Sequence, residues 1–279
     1  MTATMTATTI SADAVSFVCS IVRDRSAIEL EESKGYLIEA RLAALAKQQG
    51  LASPAELIRQ VRTAQQPKLE QRLVEAMTTN ETSFFRDHHP FEALRTVILP
   101  ELLARNASRR TLNIWSAACS TGQELYSIAM LLREGFPELL NWNVQLVGTD
   151  LADEVLDRAR AARFSQIEVN RGLPATLLMK YFRREGNSWC MIPEIAAAAR
   201  FSKLNLIGAW PALPAFDLVF LRNVLIYFAP ETKRKILQRL HHAIAPGGVL
   251  FLGAAETTMG LETMYVREQS GHAVFYRTK

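Results

Sequence analysis

Thr111–Glu124 reads TLNIWSAACSTGQE, and Val144–Asp150, a short way downstream, reads VQLVGTD. Each is an apolar run that stops at small residues and gives way to a helical pattern, Glu124–Phe136 after the first and Glu154–Arg163 after the second. FDLVF (Phe216–Phe220) repeats the arrangement with a helix over Glu231–Ile244, and VLFLGA (Val249–Ala254) and Val274–Arg277 supply two further strands. One more helix, over residues 90 to 105, precedes the first strand. Strands alternating with helices require right-handed crossovers, which make a parallel sheet and cover both its faces. The expected fold class is α/β, a doubly wound, mostly parallel sheet.

Residues 164–200 interrupt the alternation. A helix near Leu173–Phe182 and extended pieces near Trp189–Ile192, broken by the Gly186-Asn187 turn signal, read as a small antiparallel β insertion between the second and third parallel strands. Insertions at such loops serve recognition more often than chemistry.

Upstream of the sheet the pattern is helical only. Val15, Val18, Ile21 and Val22 repeat at helical spacing; Tyr36, Leu37, Arg41, Leu42 and Leu45 fall in a second helix that stops at Gly50. Ser53-Pro54 supplies a cap followed by proline at the first helical position, opening a third helix through Leu57, Ile58 and Val61. A fourth runs from Pro67 to Met77. The expected organisation is a Thr/Ala-rich disordered tail over 1–12, a small all-α domain over 13–87 and the sheet domain over 88–279.

The 279 residues are 49% hydrophobic and 22% charged, enough for a sizeable core. Three cysteines, Cys19, Cys119 and Cys190, cannot close a disulfide framework and lack metal-ligand spacing, so the expected setting is reducing and cytoplasmic, with no metal. The amino terminus has no basic and apolar leader pattern, and no run approaches a membrane span. The formal charge of +4 is too small and dispersed for a nucleic-acid binder.

Ligands of open α/β sheets bind beyond the carboxyl ends of the strands. The loop Ser116–Glu124 holds one glycine rather than the G-x-G-x-x-G that cradles a pyrophosphate, so a nucleoside cofactor without phosphates fits better than a dinucleotide. Asp150, at the end of the second strand, either accepts hydrogen bonds from ribose hydroxyls or, like Asp153, caps the next helix. Glu124 also has an ordinary reading, as the far end of a capping box with Thr121. Arg222, Asn223 and Tyr227 put polar groups where the reacting end of a ligand lies, or are satisfied polar residues at a strand end. TTNETSFFRD (Thr78–Asp87) is either a linker or the lining of a cleft.

Taken in order, TTNETSFFRD, WSAACSTGQELYSIAM, VGTD, KLNL and FDLVFLRNVLIYF resemble the CheR family of bacterial chemotaxis receptor methyltransferases, from about residue 15 to the end of the chain. The resemblance implies a Rossmann-like class I methyltransferase domain. It also implies methylation of receptor glutamates by S-adenosylmethionine, giving γ-methyl esters and S-adenosylhomocysteine. Cofactor positions carry over to Asn80, Thr82, Arg86, Glu124, Asp150, Asn205, Leu206, Asn223 and Val224. Arg86 and Tyr227 are expected to steer the glutamate.

The implied partner is the acidic helical bundle of a chemoreceptor cytoplasmic region, met by a monomer. Lys34, Arg41 and Lys47, with Arg59 and Arg62 one helix later, are the basic positions available to dock it. Residues 1 to 87 hold ten Lys/Arg against eleven Asp/Glu, so only a local stripe can be basic. Three departures from the family pattern stand out. Gln123-Glu124-Leu125-Tyr126 replaces Glu-Glu-Pro-Tyr and keeps the second glutamate. Gly253-Ala254-Ala255-Glu256 replaces Gly-His-Ser-Glu and loses two polar groups. The insertion around Arg184–Cys190 is short, which suggests independence from a receptor's peptide tether. The rival readings are a methyltransferase for another protein substrate and a non-catalytic adaptor that keeps the cofactor fold.

Overall fold

The computed structural model describes residues 10–64, 66–258 and 260–279. The chain divides into two compact units, one running to Thr79 and including Tyr227–Thr232, the other comprising Asn80–Ile226 and Lys233–Lys279.

The first unit is helical. Helix α1 (Ala12–Ser26) is capped by Ser11, whose side chain accepts the Ala14 N–H, and α3 (Pro54–Thr63) by Ser53, which accepts the Glu56 N–H. Between them lies α2 (Gly35–Gln48), and α4 (Pro67–Ala76) completes the set. Each cap satisfies an amide that the helix leaves orphaned and contributes about 1 kcal/mol. The inward faces are Val15, Val18 and Val22 on α1, Ile38, Leu42 and Leu45 on α2, Leu57, Ile58 and Val61 on α3, and Leu69, Leu73 and Val74 on α4. Tyr36 and Leu37 point outward instead. Most of the expected tail lies outside the described residues; of its last three, Ile10 is buried and Ser11 and Ala12 open α1.

The second unit begins with α5 (His89–Ala93), a π-helical turn over Leu94–Ile98, and α6 (Leu99–Asn106). Then follow β1 (Thr111–Ala117), α7 (Gln123–Gly135), β2 (Asn143–Asp150) and α8 (Asp153–Ala161). The inserted stretch holds β3 (Arg163–Ser165), α9 (Gln166–Asn170), α10 (Ala175–Tyr181), β4 (Phe182–Glu185), β5 (Ser188–Met191) and α11 (Pro193–Ala196). The chain closes with β6 (Ala199–Lys203), β7 (Phe216–Leu221), α12 (Pro230–Ala243), β8 (Ile244–Leu252), β9 (Tyr265–Ser270) and β10 (Ala273–Thr278).

Seven strands form one sheet in the order β6-β2-β1-β7-β8-β10-β9, and β3, β5 and β4 form a separate antiparallel sheet. From β6 to β8 the pairing is parallel, and only the β8-β10-β9 edge is antiparallel. The doubly wound, mostly parallel sheet and the small antiparallel insertion are therefore as expected, with one correction. Strand β6, unmarked in the sequence, is the third parallel strand, so the insertion sits between β2 and β6 rather than next to β7. β6 is an edge strand with a mostly uncovered face, and its side chains lack the continuous apolar run of a central strand.

The middle strands are buried end to end: every residue of β7 is buried, and so is every residue of β1 after Thr111. Asp217, on β7, is fully enclosed; its carboxylate accepts from Arg105 at 3.0 Å, from Arg109, and from the Asn113 N–H at 2.9 Å. This knot lies at the amino end of β7, opposite the loops that follow the carboxyl ends of the parallel strands. Phe84 ties residues 80–88 to the inserted sheet by edge-on contacts with Phe164 (5.0 Å) and Phe182 (5.7 Å). The backbone of Gly172 presses so closely there that a Cβ would lie 2.0 Å from the Phe84 carbonyl oxygen.

Candidate active site

The parallel strands all end on one edge of the sheet, and the loops after β1, β2, β6, β7 and β8 gather there. In the first of them Ala118 and Ser120 are left-handed, with φ of 58° and 51°. Ser120 makes the central link: its N–H donates to Asp150 Oδ2 at 2.8 Å and its hydroxyl to the Asn80 carbonyl at 2.7 Å. Asp150 Oδ1 accepts the Ala152 N–H at 3.1 Å, and its carbonyl accepts the Leu204 N–H at 2.9 Å. Asn80, Asp150 and the Asn205-Leu206 pair are thereby joined around one loop. Asn205 Oδ1 accepts the Ile207 N–H, and the Leu206 carbonyl accepts from Arg239 and Trp210.

Glu124 does not close the capping box its spacing allows. Helix α7 starts at Gly122 with no side-chain cap, and Thr121 donates to Gln123 instead. The Glu124 carboxylate accepts the Ser116 hydroxyl at 2.8 Å and pairs with Arg222 at 3.0 Å. Nor does either aspartate cap α8: Ala152 is its cap residue, and Asp153 pairs with Lys203 at 2.7 Å.

Arg222 is the hub of the second group. Its side chain is 2% exposed, and besides Glu124 it reaches Asp87 at 2.6 Å and the Arg86 carbonyl at 3.0 Å. Arg86 donates in turn to the Glu81 carbonyl at 3.0 Å, and the Phe85 N–H donates to the Ser127 hydroxyl at 2.9 Å. Thr82 lies on the same anchored stretch, and Asn223-Val224 follow Arg222 directly. Tyr227 ends a 3₁₀ turn and is counted with the helical unit, where its carbonyl accepts the Glu29 N–H at 2.9 Å.

Backbone strain concentrates in the same loops. Among the described residues nine non-glycine positions have positive φ, and Phe85, Asp87, His88, Ala118, Ser120 and Asn223 are six of them. Each costs of order 1 kcal/mol and persists only where its surroundings over-determine it, a pattern typical of binding sites. Cys119 is buried within the first loop; burial, with Asp150 and Glu124 adding to it, pushes its thiol well above the ordinary range, so it is packing rather than a nucleophile.

The family models fall on the two units. The CheR methyltransferase all-alpha domain matches residues 13–78, and the CheR methyltransferase S-adenosylmethionine-binding domain matches residues 80–274. The chain belongs to the CheR methyltransferase family. Chemotaxis protein methyltransferase 1 of Pseudomonas aeruginosa is 44% identical over 257 residues, covering 90% of this chain and 93% of that one. Chemotaxis protein methyltransferase 1 of Vibrio cholerae is 36% identical over 279 residues, covering 99% and 100%. Among solved structures, a TehB-like S-adenosylmethionine-dependent methyltransferase from Corynebacterium glutamicum covers 68% of this chain and 100% of that one at 14% identity and a TM-score of 0.37. The expected family, fold class and cofactor are thus borne out.

The site of this CheR family member suits that cofactor on its own chemistry. An acidic first turn at α7 disfavours a pyrophosphate, whereas enclosed carboxylates are suited to accepting hydrogen bonds from the hydroxyl and ammonium groups of a nucleoside cofactor. Two buried polar atoms, Arg222 Nε and Asn223 Oδ1, have no partner within the protein. Sequence reasoning marked Arg222 only as a polar residue at a strand end and missed its central position. Glu256, kept from the family's Gly-His-Ser-Glu string, was given no role there; its carboxylate accepts the backbone amides of Gly253, Asn223 and Ile226. The available signals were that retained glutamate and its place just past β8, which ends at Leu252. No helix among the described residues is long and apolar enough to cross a membrane, and no cluster among them could hold a metal ion.

Proposed function

We propose that the chain transfers a methyl group from S-adenosylmethionine to glutamate side chains on the cytoplasmic helices of a chemoreceptor, forming γ-methyl esters. The observation that carries this reading is the pair of enclosed carboxylates, Glu124 and Asp150, at the strand ends of a CheR-family domain. Asp150 holds the ribose, and Glu124, oriented by Ser116 and Arg222, faces the amino-acid end of the cofactor. Asn80, Thr82, Arg86, Asn205, Leu206, Asn223 and Val224 line the remainder.

When bound, S-adenosylmethionine supplies a methyl on a positively charged sulfur and departs as S-adenosylhomocysteine. A glutamate side chain is ionised at neutral pH, its ordinary pKa being about 4.3, so it attacks without a general base. The protein's contribution would be alignment, with Arg86 and Tyr227 orienting the substrate carboxylate toward the methyl that the cofactor supplies. Arg86 attracts that carboxylate by charge, and Tyr227 orients it by a hydrogen bond.

The receptor is an acidic helical bundle, docked by a monomer in the cytoplasm without need of a peptide tether. Several basic candidates in the helical unit are already engaged. Arg41 donates to the Met77 and Thr78 carbonyls, Arg62 pairs with Asp13 at 2.8 Å, Lys34 with Glu31 at 2.8 Å and, more loosely, Arg59 with Glu56 at 3.9 Å. Docking therefore leans on Lys47 and on the sheet-bearing unit, and receptor binding weakens as salt rises.

Incubation with methyl-labelled S-adenosylmethionine and a receptor cytoplasmic fragment tests the reading. Base-labile label on glutamates supports it. Base-stable label indicates another substrate, and cofactor binding without label indicates an adaptor. Wild-type turnover in both Arg86→Ala and Tyr227→Phe at saturating substrates would exclude the steering role.

A further inference from the structure

Glu256 lies in the loop after β8 and is 8% exposed. Its Oε2 accepts the N–H groups of Gly253 at 2.6 Å and Asn223 at 2.8 Å, and its Oε1 accepts the Ile226 N–H at 3.3 Å. The loop is closed on itself by the Glu256 N–H, which donates to the Gly253 carbonyl at 2.9 Å. All three groups bound by the carboxylate are main-chain amides, and two of them belong to the loop after β7. That loop carries Arg222 at one end and leads into Tyr227 at the other.

The junction has no slack. A Cβ on Gly253 would fall 2.7 Å from Glu256 Oε2, 2.8 Å from Asn223 N and 2.9 Å from Asn223 Nδ2. Asn223 is itself left-handed, with φ of 59°, and its side-chain oxygen is buried without a protein partner. A non-glycine residue keeps that conformation only when its neighbours hold it. The bond from its N–H to an ionised carboxylate is a strong hold, because charge-assisted hydrogen bonds are shorter and stronger than neutral ones.

We propose that Glu256 is a positioning residue for the cofactor. By clamping the amides of Asn223 and Ile226, it fixes the left-handed turn that presents the Asn223 side chain and aims Arg222 at Glu124. The proposal rests on the cofactor-lining role given above to Asn223. A glutamine at this position keeps one acceptor oxygen but turns an NH₂ donor toward the amides, so at least one of the three bonds is lost while shape and volume are retained. The carboxylate's charge, and not only its bulk, is then required.

The test measures S-adenosylhomocysteine affinity by titration calorimetry for the wild type, Glu256→Gln, Glu256→Asp and Asp217→Asn. The last removes a buried carboxylate of comparable structural weight at the opposite edge of the sheet and controls for destabilisation alone. Glu256→Gln is expected to raise the dissociation constant about tenfold or more. Asp217→Asn should leave it within about twofold even where its thermal midpoint falls further, and Glu256→Asp should recover part of the loss. Unchanged affinity in Glu256→Gln, or equal weakening in Asp217→Asn, overturns the proposal. Failure of the wild type to bind S-adenosylhomocysteine overturns instead the functional reading beneath it.

Discussion

Replacing Arg222 by methionine removes the charge at the centre of the site and keeps most of the side chain's volume. The cost can be worked from its partners. Asp87 is 47% exposed and rehydrates readily, so losing that contact costs no more than about 1 kcal/mol. Glu124 is only 13% exposed and is left with the Ser116 hydroxyl alone; breaking such an enclosed pair costs about 3–5 kcal/mol, with the lower end appropriate to its residual exposure. The bond to the Arg86 carbonyl adds about 1 kcal/mol, and methionine packing near Phe91 recovers a similar amount. The expected net loss is about 3 kcal/mol. Urea unfolding followed by tryptophan fluorescence is the appropriate assay, because all four tryptophans, Trp115, Trp142, Trp189 and Trp210, lie in the sheet-bearing unit. The midpoint should fall by roughly 1 M or more. Pairing Arg222→Met with Glu124→Gln should return at least about 1.5 kcal/mol relative to the sum of the single losses. A loss below about 1 kcal/mol for Arg222→Met, or strict additivity in the double variant, refutes the reasoning.

Gly172→Ala should cost more than about 3 kcal/mol in the same assay, since it adds a 2.0 Å overlap with a carbonyl oxygen to a φ of 86°; Gly186→Ala, at φ 59° with nothing within 4 Å, should cost only about 1 kcal/mol. Lys180, followed by Tyr181, holds the Glu134 carboxyl below its ordinary range, so this group stabilises the fold above the usual glutamate pKa and the contribution disappears as pH falls through the lowered value. Glu134→Gln should therefore be less stable than wild type by a few tenths of a kcal/mol at pH 7, given its exposure, and equal to it in acid; a gap that widens with acidification would contradict this. Iodoacetamide on the native protein should label Cys190 ahead of the buried Cys19 and Cys119. Because burial and the neighbouring Glu185 raise the Cys190 thiol, its rate should climb as pH passes the ordinary thiol range; peptide mapping that finds Cys119 labelled first would contradict the burial argument.

The elements the sequence declared were those with strong one-sided or continuous apolar patterns: the four helices of the first unit and strands β1, β2, β7, β8 and β10. β6 and β9 escaped because both are edge strands that leave at least half of their side chains in water, so neither alternates cleanly. Within the site, Asp150 and Glu124 stood out by position, yet which of two readings applied depended on tertiary partners. Glu124 prefers Ser116 and Arg222 to the helix start, and no spacing rule contains that information. Arg222 reads as a buried hub only once Asp87, far away in the chain, is seen beside it. The left-handed turns at Ala118, Ser120 and Asn223 were hidden for a related reason: turn signals in sequence rest on glycine, whereas here the surrounding hydrogen bonds impose the conformation.

The strand order also governs how the chain fares while it is being made. β1 sits between β2 and β7, and β7 is synthesised only after the whole inserted sheet and β6. At about 5–20 residues per second, a nascent chain that has already paired β1 with β2 leaves the other edge of β1, with its unpaired backbone N–H and C=O groups, open for several seconds before Phe216–Leu221 leaves the ribosome. A pause or truncation within that window releases a species with a bare central strand, so the stretch between β2 and β7 is where slow decoding would do most harm to yield.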